Sequence, residues 1–500
     1  MTRSTQITQN TQIARNSRKT MSTLKEKTAQ GLFWGALSNG TQQFLNLLFG
    51  IILARMLSQS DYGKIGLLAI FSALATTLQN GGFISAINRK KHVTHDDYNA
   101  VFWTSVLVSF ALYLILFFSA PLISSFYGIP ELTPLARFLF LGFFIASFGV
   151  ASGAYMFRNM MVKQTAILSI SSILISGIVG TVMAAKGYAY WGLAAQNTVC
   201  ILVGTVMGFY FTKWHPTLPV NFKPIKEMIG FSSKLIITNV FTTINSNLFS
   251  VILGKIYTEH DVGNYTQANK WNLIGTSFVS NMLNGIAQPV FAKTSDELDR
   301  QRNIFRKLLR FTAFATFPAM LGLTLVSKEL IVITITEKWL ESAGMMQILC
   351  VAGAFIPLSN LFSNLIISRG HSSIYMWCTA ALCLIQLVSA IIAAPYGIST
   401  MIMIYAAINI LWLLVWHHFA YREIGITLIQ VIRDISPYLF ISLSLIVAAH
   451  FLTMGIDNIY LRIISKIAFV ASLYFLILWM LGSTILREAA EFFLKKVHLK

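Results

Sequence analysis

Four segments of this 500-residue sequence carry amide and hydroxyl side chains at helical spacing. The spacing is i, i+3, i+4 and i+7 in two of them and i, i+4, i+5 and i+8 in the other two, and both spacings place the residues on one side of a helix. The four stripes are Asn39, Gln42, Gln43 and Asn46; Ser72, Thr76, Thr77 and Asn80; Asn239, Thr242, Thr243 and Ser246; and Asn272, Thr276, Ser277 and Ser280, continued by Asn284 and Gln288. An unpaired amide in hydrocarbon costs several kcal/mol, so these faces must contact one another or line water.

The stripes have two interpretations. In the first, they form interhelical hydrogen bonds in a solid bundle, worth about 0.6 kcal/mol each, and this suffices for any single Ser or Thr. In the second, they line a hydrated cavity between two halves of the protein. We favour the cavity for the set because the stripes correspond in pairs. The candidate substrate-binding residues on them are Asn39, Gln42, Gln43, Asn46, Thr76, Asn80, Asn239, Thr243, Thr276, Ser280, Asn284 and Gln288.

Basic side chains near these stripes are candidates for binding a phosphate. Arg55, Lys234, Lys255 and Lys270 lie on the same segments and complete the list of candidate substrate-binding residues. For each one singly, the alternative is that the side chain only extends to the lipid–water interface. None of the 19 carboxylates falls in the middle of a predicted span, so the usual site for a proton, sodium or a cationic drug is not expected.

Patterns for catalysis or metal binding are missing from the sequence. The four cysteines, Cys200, Cys350, Cys378 and Cys383, lie inside apolar runs, without a CxxC motif or a Cys/His cluster. We therefore expect no disulfide framework, no bound metal, no cofactor and no enzymatic activity.

The composition places these residues in a membrane protein. Hydrophobic residues make up 55% of the chain and charged residues only 11%, where soluble domains carry about 25% charged residues. The net charge of +19 would suggest nucleic acid in a soluble protein. Here Lys and Arg are enriched about threefold in alternate loops, which indicates the orientation of the chain in the membrane rather than binding to nucleic acid. We predict about fourteen transmembrane helices, two cytoplasmic termini and no nucleic-acid partner; the most polar spans are 65–86, 231–254 and 271–292.

A repeat of 200 residues organises these spans. Residues 51–63 recur without a gap as residues 251–263, and each copy contains Asp-x-Gly, at Asp61 and Gly63 and at Asp261 and Gly263. A shift by six helices preserves orientation, so the copies are parallel repeats. The predicted fold is all-α, with a tail at 1–30, an N-lobe at 31–212, a linker at 213–230, a C-lobe at 231–420, two further helices at 421–483 and a basic tail at 484–500. Each Asp-x-Gly is predicted to form a turn that starts the next helix.

Several stretches resemble one family, the Wzx-type polysaccharide flippases of the multidrug/oligosaccharidyl-lipid/polysaccharide exporter superfamily. The matching stretches are Leu53-Ala54-Arg55-Met56-Leu57 before Asp61-Tyr62-Gly63, Gly254-Lys255 before Gly263-x-Tyr265, the segment Pro289 to Asp299, and Lys338-Trp339. The resemblance covers nearly the whole chain from Leu24. It implies a V-shaped core of two six-helix lobes. It also implies flipping of an undecaprenyl-pyrophosphate-linked oligosaccharide across a bacterial inner membrane, for O-antigen, capsule or exopolysaccharide biosynthesis.

The mechanism expected from this resemblance is alternating access. Amides and hydroxyls would bind the sugar and basic groups the diphosphate. The expected partners are the lipid-linked oligosaccharide and membrane lipid, with a polysaccharide polymerase as a further candidate and the oligomeric state open. A drug or cation antiporter of the same superfamily is the alternative function, and the missing intramembrane acids disfavour it. A membrane-embedded polymerase would need catalytic groups and a large extramembrane loop, and neither is evident in the sequence.

Overall fold

The structure is a computed structural model. It describes residues 34–35, 37–80, 87, 90, 92–483 and 485–488, with the backbone alone described at residues 80, 227, 229–235, 238, 278 and 284–286. All regular secondary structure in these residues is helical. The predicted tail at 1–30 and most of the predicted tail at 484–500 lie outside the described residues.

The described helices follow one another with short connections. Helix α1 covers residues 37–56. It is followed by α2 (Gln59–Asn80), α3 (His95–Tyr127), α4 (Leu132–Arg158), α5 (Val162–Ala185), α6 (Tyr190–Phe211), α7 (Lys223–Ile256), α8 (Glu259–Lys293), α9 (Leu298–Ile335), α10 (Leu340–Gly353), α11 (Ile356–Ser368), α12 (Ser372–Ala393), α13 (Ile398–Ile424), α14 (Leu428–Leu452) and α15 (Ile459–Met480). Short 3₁₀ turns at Glu337–Trp339 and Ala394–Tyr396 precede α10 and α13.

Ten candidate membrane spans in the described residues are long and apolar enough to cross a bilayer. They are α3 to α6, α9, α10 with α11 as one span, and α12 to α15. Helices α2, α7 and α8 have 22, 34 and 35 residues, which is enough length, but they carry the polar stripes and are too hydrophilic to be recognised by composition. The count of fourteen spans stays a prediction, because part of the first apolar run lies outside the described residues.

Contacts among the described residues separate the chain into two compact units. One unit comprises Met1–Met56 and Phe71–Asn239, and the other comprises Leu57–Ile70 and Val240–Lys500. The start of α2 therefore belongs to the second unit, and α7 contributes to both. The predicted lobe boundaries stay predictions.

An aromatic core holds the first unit together. The rings of Tyr98 and Phe102 on α3 lie 6.3 and 5.6 Å from the ring of Trp214, which follows α6. All three side chains are buried. Beside them, the Asn99 side chain donates to the carbonyl of Thr217 at 2.9 Å and accepts from its N–H at 3.0 Å. The segment that follows α6 is thus fixed to α3 by burial and by paired polar groups.

The aspartates of both Asp-x-Gly motifs cap helices, as predicted. The Asp261 carboxylate accepts from the backbone N–H of Thr258 at 3.1 Å and forms a capping box with it at the start of α8. The Asp61 carboxylate accepts from the backbone N–H of Ser58 at 2.9 Å at the start of α2. These bonds satisfy N–H groups that have no partner inside the helix.

The predicted turn at the glycines of these motifs is wrong. Gly63 and Gly263 lie inside α2 and α8 rather than in a turn. A methyl group on Gly63 would overlap the backbone carbonyl of Glu259, and one on Gly263 would overlap that of Gln59. The glycines therefore allow the first turns of two helices to touch, a role that depends on tertiary packing and leaves no local signal.

Two ion pairs fasten α14 and α15 to α9 in the second unit. Arg306 of α9 contacts Asp434 of α14 through Nε and Nη2, at 2.7 and 3.0 Å. Lys466 of α15 donates to Glu329 of α9 at 2.6 Å, and both side chains are buried. An apolar cluster that includes Val326 packs the same helices together.

Candidate functional site

A cavity of about 340 Å³ lies among six helices of the second unit, namely α7, α8 and α10 to α13. Its polar lining consists of amides and hydroxyls from all of these helices except α10. These residues are Thr242, Asn245, Ser246, Asn269, Asn272, Ser359, Asn360, Ser363, Thr379 and Asn409. No charged side chain lines the cavity in the described part of the chain. The site is therefore suited to an uncharged polar ligand.

Three polar atoms around the cavity lack a hydrogen-bond partner among the described residues. They are the amide oxygens of Asn245 and Asn272 and the indole N–H of Trp412, and all three are buried. A buried polar group without a partner costs about 1 to 3 kcal/mol. Two acceptors and one donor around one cavity would be satisfied by water or by a ligand that carries hydroxyl groups.

Aromatic rings form the other part of the lining. The rings of Tyr375 and Trp416 are stacked, with centroids 5.8 Å apart and planes 23° apart. Tyr405 also lines the cavity, and its ring lies 4.7 Å from that of Phe249. Ring faces pack against the C–H surface of a ligand, while amides bind its hydroxyl groups. This combination suits a sugar, which presents both surfaces.

The position of Asn272 depends on a glycine at the end of α10. A methyl group on Gly353 would overlap the Asn272 amide oxygen. The Asn272 amide nitrogen lies 3.4 Å from the side-chain oxygen of Asn269, to which it donates. The glycine thus leaves room for the unpaired oxygen of Asn272 in the cavity wall.

The structure brings only some of the stripe residues of the second unit to this cavity. Thr242, Ser246 and Asn272 line it. The predicted site residue Ser280 is buried nearby and accepts from the cavity residue Asn360 at 3.3 Å. Thr276 is buried and donates to the carbonyl of Asn272 in its own helix at 3.0 Å.

Other predicted residues of this unit lie away from the cavity lining. Gln288 and Lys255 are exposed, and Thr243 and Lys270 are partly exposed. None of these four residues lines the cavity. The basic residues predicted to bind phosphate are therefore separate from the uncharged site.

The predicted residues of the first unit are mostly exposed. Gln42 is partly exposed and donates to the hydroxyl of Ser38 at 2.7 Å. The exposed members are Asn39, Gln43, Asn46, Arg55, Thr76 and Asn239. The side chains of the predicted site residues Asn80, Lys234 and Asn284 lie outside the described residues. Among the described residues, the helices of the same unit thus leave the stripe face of α1 largely uncovered.

Most of the cavity wall was not predicted from the sequence, because only Thr242, Ser246 and Asn272 among its lining residues stand on a polar stripe. Asn360, Asn409, Tyr375, Trp412 and Trp416 contribute to it. Asn409 stands alone in an apolar run, whereas Asn360 has Ser363 and Asn364 at i+3 and i+4, a helical spacing that was not singled out. For Asn409 the available signal was an isolated Asn inside an apolar run, because such a residue needs a partner.

One group of side chains has the geometry of metal ligands. The ligand atoms of His260, Asp261 and Glu341 lie within 4.8 Å of one another. Asp261 already accepts from Thr258, and Glu341 accepts from the Asn264 amide at 2.7 Å. Both carboxylates are thus occupied by hydrogen bonds, and we assign no metal to this group.

The all-helical, multi-pass chain with a polar cavity inside a helical unit has the architecture of a membrane transporter. It is similar to the solved structure of lipid II flippase MurJ in an inward closed conformation, over 89% of this chain and 99% of that one, with a TM-score of 0.71 and 16% identity. An inward-facing multidrug resistance MATE family transporter of the MOP superfamily aligns over 77% of this chain and 94% of its own, with a TM-score of 0.64 and 16% identity. These likenesses confirm the predicted all-α, multi-pass membrane fold.

The chain belongs to the polysaccharide biosynthesis protein family, whose model matches residues 52–344. It is 26% identical to lipopolysaccharide biosynthesis protein WzxC of Escherichia coli (strain K12), over 70% of this chain and 72% of WzxC. It is 21% identical to succinoglycan biosynthesis transport protein ExoT of Rhizobium meliloti (strain 1021), over 73% of each chain. The predicted membership of the Wzx-type flippases is thereby confirmed, as is the prediction that the protein is a transporter rather than an enzyme.

Proposed function

We propose that the protein flips an undecaprenyl-pyrophosphate-linked oligosaccharide across the bacterial inner membrane, and that the cavity of the second unit binds the sugar. The observation that carries this proposal is the uncharged wall of amides and aromatic rings, with three unpaired buried polar atoms, in a member of a polysaccharide biosynthesis family. A neutral sugar would pair these atoms and pack against the rings, whereas a cation would find no carboxylate there.

The exposed polar stripes support an alternating-access mechanism. Asn39, Gln43, Asn46 and Gln288 are exposed, and amides of this kind are stable in a membrane only beside water or other polar groups. We propose that they line the hydrated path of the sugar in a protein of two pseudo-symmetric lobes, N-lobe and C-lobe, while the polyprenyl tail stays in lipid. Both termini are then cytoplasmic, as the distribution of Lys and Arg predicts.

The diphosphate of the substrate is proposed to contact basic groups outside the sugar cavity. Arg55 and Lys255 are exposed at equivalent positions of the two repeats and are the leading candidates. A diphosphate diester carries about two negative charges, so a potential negative inside favours its export by about 4.6 kcal/mol per 100 mV. Outward flipping then requires no intramembrane carboxylate relay.

The alternative function is drug or cation antiport. The fold is similar to that of a multidrug transporter, but a cationic drug needs an acidic partner in the membrane. No carboxylate lines the described cavity. The geometry therefore favours the sugar substrate over the cation.

Flipping is tested with the purified chain in liposomes that contain a fluorescent undecaprenyl-diphosphate oligosaccharide. A membrane-impermeant glycosidase removes the sugar from outward-facing molecules, so flipping appears as cleavage beyond the outer half. We expect such cleavage with the protein, and a faster rate when a potassium gradient sets a potential that favours movement of the anion towards the glycosidase. Cleavage that stops at half with correctly folded protein contradicts the proposal, and a rate indifferent to voltage contradicts its driving force.

A further inference from the structure

A second cavity, of about 450 Å³, lies where the first part of α9 and of α14 meets the end of α15. Its lining includes three arginines, Arg306, Arg310 and Arg433, with Asp434 and Ser483. None of these residues belongs to the sugar cavity. The distribution of basic residues predicts that this end of the helices faces the cytoplasm.

The cavity carries a surplus of positive charge. Asp434 is 5% exposed, and Arg306 neutralises it through two hydrogen bonds of 2.7 and 3.0 Å. Arg310 Nε lies 3.8 Å from the same carboxylate, beyond hydrogen-bonding distance. Among the described residues, Asp434 is the only acidic one that lines this cavity. Arg310 and Arg433 therefore provide two positive charges that the carboxylate does not balance.

An unpaired hydroxyl also faces this cavity. Ser483 Oγ is buried and has no hydrogen-bond partner within the described ranges. An unpaired buried hydroxyl is costly, and a phosphate oxygen would accept its proton. Guanidinium groups bind the other oxygens of a phosphate in the same way as they bind a carboxylate.

The surroundings of the cavity are those of a lipid-facing site. Leu478 and Leu481 form part of its wall. Trp479, Met480 and Leu481 are 69%, 73% and 67% exposed, at the end of a helix that is apolar enough to span a membrane. Exposed Trp at a helix end is typical of the membrane interface. A ligand in this cavity thus meets arginines on one side and acyl chains on the other.

We propose that this cavity binds the phosphodiester headgroup of an anionic membrane phospholipid. Basic pockets between transmembrane helices at the cytoplasmic side recognise such headgroups. Arg310 and Arg433 contact the phosphate, and Ser483 donates a hydrogen bond to it. The bound lipid joins α9, α14 and α15, which the ion pair of Arg306 and Asp434 already connects in part.

The test measures binding of phosphatidylglycerol to the purified full chain by native mass spectrometry, with phosphatidylethanolamine as the zwitterionic reference. The variant combines Arg310→Gln with Arg433→Gln and leaves the ion pair of Arg306 with Asp434 intact. The matched control is Arg300→Gln with Arg422→Gln, two exposed arginines outside the cavity on the same predicted side. We expect the variant to bind phosphatidylglycerol about thirtyfold more weakly, since each arginine contributes about 1 kcal/mol. The control should bind it like the wild type.

Competition experiments identify the source of the phosphate. Equimolar glycerophosphate, which has the headgroup without acyl chains, should not displace phosphatidylglycerol. Displacement by glycerophosphate, or arginine-dependent binding of undecaprenyl diphosphate but not of phosphatidylglycerol, overturns the proposal. So does equal binding of both phospholipids by the wild type, unchanged binding by the variant or an equal loss in the control.

A single substitution examines the hydroxyl. Ser483→Ala should weaken phosphatidylglycerol binding about fivefold, as expected for the loss of one hydrogen bond. It should not lower the thermal stability of the lipid-free protein. Unchanged binding by Ser483→Ala excludes the hydroxyl from the site.

Discussion

A methyl group added at Gly353 tests the placement of Asn272 in the sugar cavity. The new carbon would overlap the Asn272 amide oxygen and lie 2.6 Å from Met320 Cε and 3.2 Å from Thr276 Cγ2. The end of the Met320 side chain can move aside, so the main conflict is with Asn272. Overpacking of this kind costs about 1 to 3 kcal/mol, and replacing Gly by Ala in a helix returns about 1 kcal/mol. We expect Gly353→Ala to lower the free energy of unfolding by about 1 kcal/mol.

The same substitution should reduce transport. Displacing the Asn272 oxygen removes one hydrogen bond to the sugar, worth about 1 kcal/mol or about fivefold in affinity. Denaturation in sodium dodecyl sulfate gives the unfolding free energy, and the liposome assay gives the flipping rate at low substrate. Asn272→Ala alone should flip about fivefold more slowly. Combined with Gly353→Ala, it should relieve the overlap and restore stability while flipping stays low.

The control for Gly353→Ala and Asn272→Ala is Thr316→Val. Thr316 Oγ1 is buried without a partner in the described chain, as the Asn272 oxygen is, but it lies outside the cavity lining. Thr316→Val should leave flipping unchanged. Wild-type flipping by both Gly353→Ala and Asn272→Ala would refute the assignment of this cavity to the sugar.

Three further changes examine other contacts. Trp412→Phe removes the unpaired indole N–H and should weaken substrate binding about fivefold in a titration; unchanged affinity would show that the N–H does not contact the sugar. Lys466→Met leaves the Glu329 carboxylate buried and unpaired and should cost about 3 to 5 kcal/mol in detergent denaturation. Adding Glu329→Gln should recover most of this loss, and no recovery would contradict the ion pair. Gly263→Ala should lower the thermal midpoint through overlap with the facing backbone. Gly322→Ala, whose methyl group would have no neighbour from other parts of the chain within 4 Å, should not, and equal midpoints would contradict the close approach.

Sequence periodicity predicts which residues share a helix face, because this depends only on positions that are close in the sequence. It placed Thr242, Ser246 and Asn272 on polar faces, and all three line the cavity. Periodicity does not predict which helix faces pack against one another. Asn360 and Asn409 come from helices to which no polar stripe was assigned, and packing brings them to the same cavity as Asn272.

The partners of charged residues and glycines likewise cannot be predicted from the local sequence. The carboxylate of Asp434 is paired with a guanidinium 128 residues away, and the charge bias of the loops predicts orientation but not partners. Gly263 was predicted to be part of a turn because Asp-x-Gly is a common turn pattern. Its actual neighbour, the backbone of Gln59, is 204 residues earlier in the chain and leaves no trace in the local sequence.

The central claim is that the uncharged cavity recognises the sugar of a lipid-linked substrate. The most direct measurement compares the affinity of the purified protein for the undecaprenyl-diphosphate oligosaccharide with its affinity for undecaprenyl diphosphate alone. We predict tighter binding of the glycosylated lipid by the wild type, and a loss of that advantage in the variant that combines Asn272→Ala with Trp412→Phe. Equal affinity of the wild type for the two lipids, or an advantage that survives in the variant, would contradict the account.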